Sequence, residues 1–153
     1  MTMSRGTLDG DPQPTGPTLP AGGQRRRLSL AGIPKPVSRA RAFAAGALDD
    51  WGTNPPRLAA DVALVVAELV ANAMLHGDGP LELVLDLTPT RLRVEVSDRS
   101  PVLPAPRRPH TPALPGGHGL FVVERIADGW GAAPHALGKS VWAELDLRRL
   151  AAS

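Results

Sequence analysis

The stretch "DVALVVAELVANAMLHGDGP", residues 61–80, decides the fold. It reads as one long helix from about Arg57 to His76, apolar almost all the way round and stopped by Gly77. A helix so apolar is expected to be covered on most sides. Yet Glu68 and Asn72 lie four residues apart, and His76 continues the same line. Spacing alone leaves the alternatives open: a polar stripe facing water, two satisfied core polar groups, or the lining of a cavity. A buried carboxylate without partners is costly. In a cavity, the neutral oxygen of Asn72 would suit Mg²⁺ and the Glu68 carboxylate could polarise a nucleophile.

Upstream, Asn54-Pro55-Pro56 is a break, and a proline at a helix start sacrifices no hydrogen bond. Before it, "VSRARAFAAGALDDWG" places Val37, Ala40, Phe43, Ala44 and Leu48 at helical spacing. "RRLSLAGIP" alternates and ends at Pro34, so it reads as a first strand. Residues 1–24 are rich in Pro, Gly and Thr and are expected to form a disordered arm ahead of a domain spanning 25–150. The run Arg25, Arg26 and Arg27 reads as solvated, with an acidic partner as the other reading.

Downstream come two segments with period two. In "LELVLDL", Leu81, Leu83, Leu85 and Leu87 share a face; in "RLRVEVSD", Leu92, Val94 and Val96 do. "TPTR" turns between them, giving a hairpin. Asp98 is in phase with Val96, so its carboxylate points to the apolar side at the strand end. Acids there are commonly exposed turn residues, but an inward one could accept a hydrogen bond from a bound amine. Residues 99–115 hold six prolines and no periodicity, which makes a long loop. "GGHGLFVVERIADGWG" then opens a helix on glycines, whose backbone N–H groups can approach an anion. "KSVWAELDL" closes as a strand with Val141, Ala143, Leu145 and Leu147 in phase. The order is strand, helix, helix, strand, strand, loop, helix, then one or two strands. It predicts an α+β fold, a two-layer sandwich with a mostly antiparallel sheet.

The 153 residues are enough for one domain with a real core, which Leu, Val and Ala must fill because aromatics make up only 3%. The absence of cysteine excludes disulfides, thiolate metal sites and a cysteine nucleophile. No run of apolar residues reaches the roughly 18 that a membrane span needs. The net charge of +2 fits a solvated arginine-rich surface better than a nucleic-acid footprint, so DNA binding is the weakest alternative.

Taken in order, "ExxxNA" on a long helix, an Asp ending the second hairpin strand, a lid and "GGHGL" resemble the ATP-binding domain shared by gyrase, heat-shock chaperones, histidine kinases and mismatch-repair ATPases. Within it, "ELVANAMLHG", "VEVSDRSP", "GGHGLFVVERIADGWG" and "GKSVWAELDL" are most similar to bacterial anti-sigma-factor serine/threonine kinases of the short actinomycete type. The resemblance covers roughly residues 28–148. It implies the Bergerat-type fold, a mixed, mostly antiparallel sheet with three helices on one face.

It also implies an ATP-binding, cytoplasmic kinase that binds a sigma factor and phosphorylates a serine on an anti-sigma-factor antagonist, with ATP and Mg²⁺ as cofactors and a homodimer as the common assembly. Asn72 would bind Mg²⁺, Glu68 would be the general base, and Asp98 would bind the adenine amino group. Gly116, Gly117 and Gly119 would flank the phosphates, with Arg107 and Arg108 in the lid. His76 would be a helix-end residue. Two departures stand out. The box Asp-x-Gly-x-Gly reads Asp98-Arg99-Ser100-Pro101-Val102, and the usual Gly-Thr is replaced by Gly138-Lys139-Ser140. Ser140 keeps the hydroxyl and is the candidate there, although alternation puts it opposite Val141. Trp142 is expected in the core, or exposed as a contact. The other function class to consider is a nucleotide-dependent binding module without catalysis.

Overall fold

The structure, a computed structural model, describes residues 24–53, 56–104 and 118–148. The arm expected ahead of the domain lies outside the described residues except for Gln24, which opens the first strand. In chain order the elements are β1 (Gln24–Ser29), α1 (Pro36–Trp51), α2 (Pro56–His76), β2 (Pro80–Leu87), β3 (Arg91–Asp98), α3 (His118–Ile126), β4 (Gly129–His135) and β5 (Gly138–Asp146).

The five strands make one sheet in the order β1-β2-β3-β5-β4. Every pairing is antiparallel, so the sheet is not mixed as expected. The β2–β3 hairpin closes through Thr88, whose N–H donates to the Arg91 carbonyl at 2.8 Å and whose Oγ1 accepts from the Arg91 N–H at 3.0 Å. The β4–β5 hairpin has a two-residue turn, because His135 already faces Gly138. β4 had no period to betray it. Its Gly129, Gly131 and Pro134 are poor strand residues, and the sheet edge is where a proline's missing N–H is tolerated.

The period-two residues of the strands face the helices except Leu81, which a register shift between Pro80 and Glu82 takes out of the core cluster. Leu83, Leu85, Leu92, Val94, Val96, Val141 and Leu145 form one cluster with Val62, Val65, Val66, Leu69 and Val70 of α2 and with Ala40, Ala44 and Leu48 of α1. α2 is long and apolar enough to cross a bilayer, but here it is the core helix, packed on α1, α3 and the sheet. Leu92 is completely buried, so Leu92→Ala should destabilise the fold by about 3 kcal/mol. Urea unfolding with an unchanged m-value would check it.

The opposite face of the sheet carries charges in cross-strand pairs. Arg25 meets Asp86 at 2.6 Å and Arg27 meets Glu82 at 3.4 Å, while Arg26, on the inner side, reaches Asp50 at 2.8 Å and stacks over Trp51. The arginine run is therefore paired within the fold rather than only solvated. Trp142 is not exposed, nor is it in the helix-facing core. It lies on the outer face, 6% exposed, beneath the Arg93 guanidinium at 4.5 Å.

Candidate functional site

α2 supplies the first part of the site. Its apolar residues fix the helix against the sheet, which leaves the Glu68–Asn72–His76 line on one side. Along that line burial varies: Glu68 is half-buried, Asn72 is buried at 6% exposure, and His76 is exposed at the helix end. Neither Glu68 nor Asn72 has a hydrogen-bond or ion-pair partner in its side chain among the described residues. A nearly buried carboxamide without a partner is the kind of group that awaits a ligand.

The end of α2 meets the end of β3. The Arg99 N–H donates to the Gly77 carbonyl at 2.9 Å, and Gly77 lies flat against the Asp98 side chain. A Cβ at Gly77 would come within 2.4 Å of the Asp98 Cγ. Gly77 is thus required for space. The helix stops at Gly77 as expected, and the left-handed residue that follows is Asp78, with φ 60°.

Asp98 faces inward, as its phase with Val96 implied, and is only 1% exposed. Its Oδ1 accepts from the Ser100 N–H at 2.9 Å and from the Lys139 Nζ at 3.0 Å. Oδ2 lies 3.0 Å from the same Nζ but accepts no aligned hydrogen bond. Lys139 also donates to the Ser100 carbonyl at 3.2 Å. The Asp98–Ser100 contact is an Asx turn, followed by the Val102 N–H on the Ser100 Oγ at 3.3 Å. These side chains hold the segment that two glycines would have shaped. Neither Ser100 nor Val102 adopts a positive φ, so glycine is not needed at either position.

Lys139 is the residue that sequence reasoning missed. β5 pairs with β3 so that Lys139 stands opposite Asp98 and Ser140 opposite Ser97. Lys139 is in phase with Val141, Ala143 and Leu145 on the inner face, while Ser140 lies on the outer one. The alternation already contained this, but a lysine amid apolar positions reads as surface. Gly119 falls in the first turn of α3. Gly116, Gly117, Arg107 and Arg108 lie outside the described residues.

Among the described residues no three His, Asp or Glu side chains gather to hold a metal. An ion at Asn72 would take most of its ligands from phosphate and water, which is how Mg²⁺ is commonly held beside nucleotides. The buried Asn72, with no side-chain partner among the described residues, fits such an ion, whereas the Asp98 carboxylate already has the Lys139 ammonium 3.0 Å from both oxygens.

Residues 31–144 match the family model described as a histidine kinase-like ATPase domain. The chain belongs to that family. The match runs from just after β1 into β5, so it contains Glu68, Asn72, Asp98 and Lys139. Membership implies an ATP-binding domain with a regulatory role. No curated protein matches the chain.

Proposed function

We propose that this chain is an ATP-binding protein kinase of the anti-sigma-factor type. It would act in the cytoplasm, bind a sigma factor, and phosphorylate a serine on an anti-sigma-factor antagonist. The observation that carries the reading is Asn72, buried on α2 without a partner among the described residues and one turn beyond Glu68. Family membership supports the ATP; the order of motifs from "ELVANA" to "GKSVWAELDL" supports the subtype.

In this reading Asn72 would hold Mg²⁺, and Asp98 would face the amino group of the base. Bound Mg²⁺–ATP supplies the phosphoryl group with its charge shielded. Glu68, half-buried on the same helix line, takes the proton of the attacking serine hydroxyl. Little else is asked of the protein, since phosphoryl transfer depends mainly on positioning and charge neutralisation.

A second reading is a nucleotide-dependent binding module without catalysis. It is favoured by one observation, the ammonium of Lys139 already seated on Asp98. Two measurements separate them. Calorimetric titration of Mg²⁺–ATP should show micromolar binding that weakens by about tenfold or more in Asn72→Ala, the cost of a lost ion ligand. Glu68→Ala should keep that affinity and lose about 10²-fold in phosphotransfer to an antagonist protein. Wild-type binding with no phosphotransfer would favour the module. No binding at millimolar ATP would sink both.

A further inference from the structure

We propose that Lys139 is a specificity-determining residue of the base subsite: its ammonium occupies the Asp98 carboxylate as a built-in competitor for the amino group of an incoming purine. The inference rests on the nucleotide-binding reading above. Lys139 is one of two lysines in the chain, and it is the one sealed inside, at 1% exposure, against an Asp98 equally sealed. Its Nζ stands 3.0 Å from both carboxylate oxygens. Any neutral amine that is to use this carboxylate must displace a charged donor, and charge-assisted hydrogen bonds are roughly twice as strong as neutral ones.

Packing does not require the pair. The neighbouring inward residues of β5 are Val141, Ala143 and Leu145, and an apolar pair of similar volume is often as stable as a buried ion pair. What the pair does is set the chemistry at the base edge. Without the lysine, the site would present carboxylate acceptors alone and so would select a donor such as the adenine amino group. With it, the carboxylate is largely spent. One of the three ammonium N–H groups donates to Asp98 Oδ1 and one to the Ser100 carbonyl; the third has Oδ2 within 3.0 Å but no aligned bond to it, and can turn to a keto oxygen. The amino group of adenine therefore gains at Asp98 only what remains after the ammonium is displaced. Discrimination between adenine and hypoxanthine, which differ at C6 by amino against keto and at N1 by acceptor against N–H donor, is weak.

The test is calorimetric titration of Mg²⁺–ATP and Mg²⁺–ITP into the full chain, as wild type, Lys139→Thr and Lys139→Met, with circular dichroism to show that each variant is folded. Wild type should bind the two nucleotides within about threefold of each other. Either lysine variant should bind ATP about tenfold tighter and prefer it to ITP by about tenfold or more, the gain expected where a buried acceptor is satisfied by one ligand and left unpaired by the other. A wild-type preference for ATP above tenfold overturns it without any variant. So does a folded variant whose ATP affinity falls or stays as in wild type; in those cases nucleotide binding stands. Absence of binding by every protein overturns both the proposal and the reading beneath it.

Discussion

Asp98→Ala should destabilise the fold by about 4 kcal/mol, one of the two largest effects expected of a single substitution here. The change leaves the Lys139 ammonium with only the Ser100 carbonyl for company, at 1% exposure and far from water's dielectric. It also removes the acceptor of the Ser100 N–H, so the turn after β3 loses its tie. The penalty belongs to the orphaned charge rather than to the contact itself. The double variant Asp98→Ala/Lys139→Met should accordingly recover more than half of the loss. A double-mutant cycle by urea unfolding measures both quantities. A single-variant cost below about 1 kcal/mol would mean that the pair is solvated, as a surface ion pair is.

Gly138→Ala should be comparably severe, at about 4 kcal/mol, and should lower the melting temperature by roughly 12 °C for a domain of this size. A Cβ there would sit 2.0 Å from the Asp98 carbonyl oxygen and 2.7 Å from the Arg99 carbonyl carbon. Both obstacles are backbone, so no rotamer change relieves them. Either β5 moves away from β3 or the Asx turn opens, and each breaks the Lys139–Asp98 geometry. Thermal melting followed by circular dichroism would check the value. A melting temperature within about 3 °C of wild type would show that the strand can slide at little cost.

Much of this architecture was legible in the residues. The alternation of Leu83, Leu85 and Leu87 with Leu92, Val94 and Val96 specified a hairpin because a one-residue slip would expose every one of them. α2 was legible as a helix that needs cover on most sides because it is apolar almost all the way round; the sheet and the other two helices supply that cover. β4 was not, since its glycines and Pro134 carry no period and its place comes from pairing with β5. Strand register was equally hidden: nothing local says that Arg25 will face Asp86 or Lys139 face Asp98. In the site, the spacing of Glu68 and Asn72 and the phase of Asp98 could be read. The contact of Gly77 with Asp98 could not, because it joins two elements that only the fold brings together.

The strand order has a kinetic side. β2–β3 and β4–β5 are hairpins whose contacts are local in sequence and so close quickly. β5 must then insert beside β3, a seam whose pairs are separated by 41 residues at Asp98 and Lys139 and by more elsewhere. Closing so long a loop is an entropic cost met before the seam returns any stability. Until it closes, the edge of β3 stands open to pairing with another chain. The same seam that seats Lys139 on Asp98 is thus one of two long-range closures of the sheet, beside the pairing of β1 with β2, and until it forms it leaves an edge at which a half-folded molecule can aggregate.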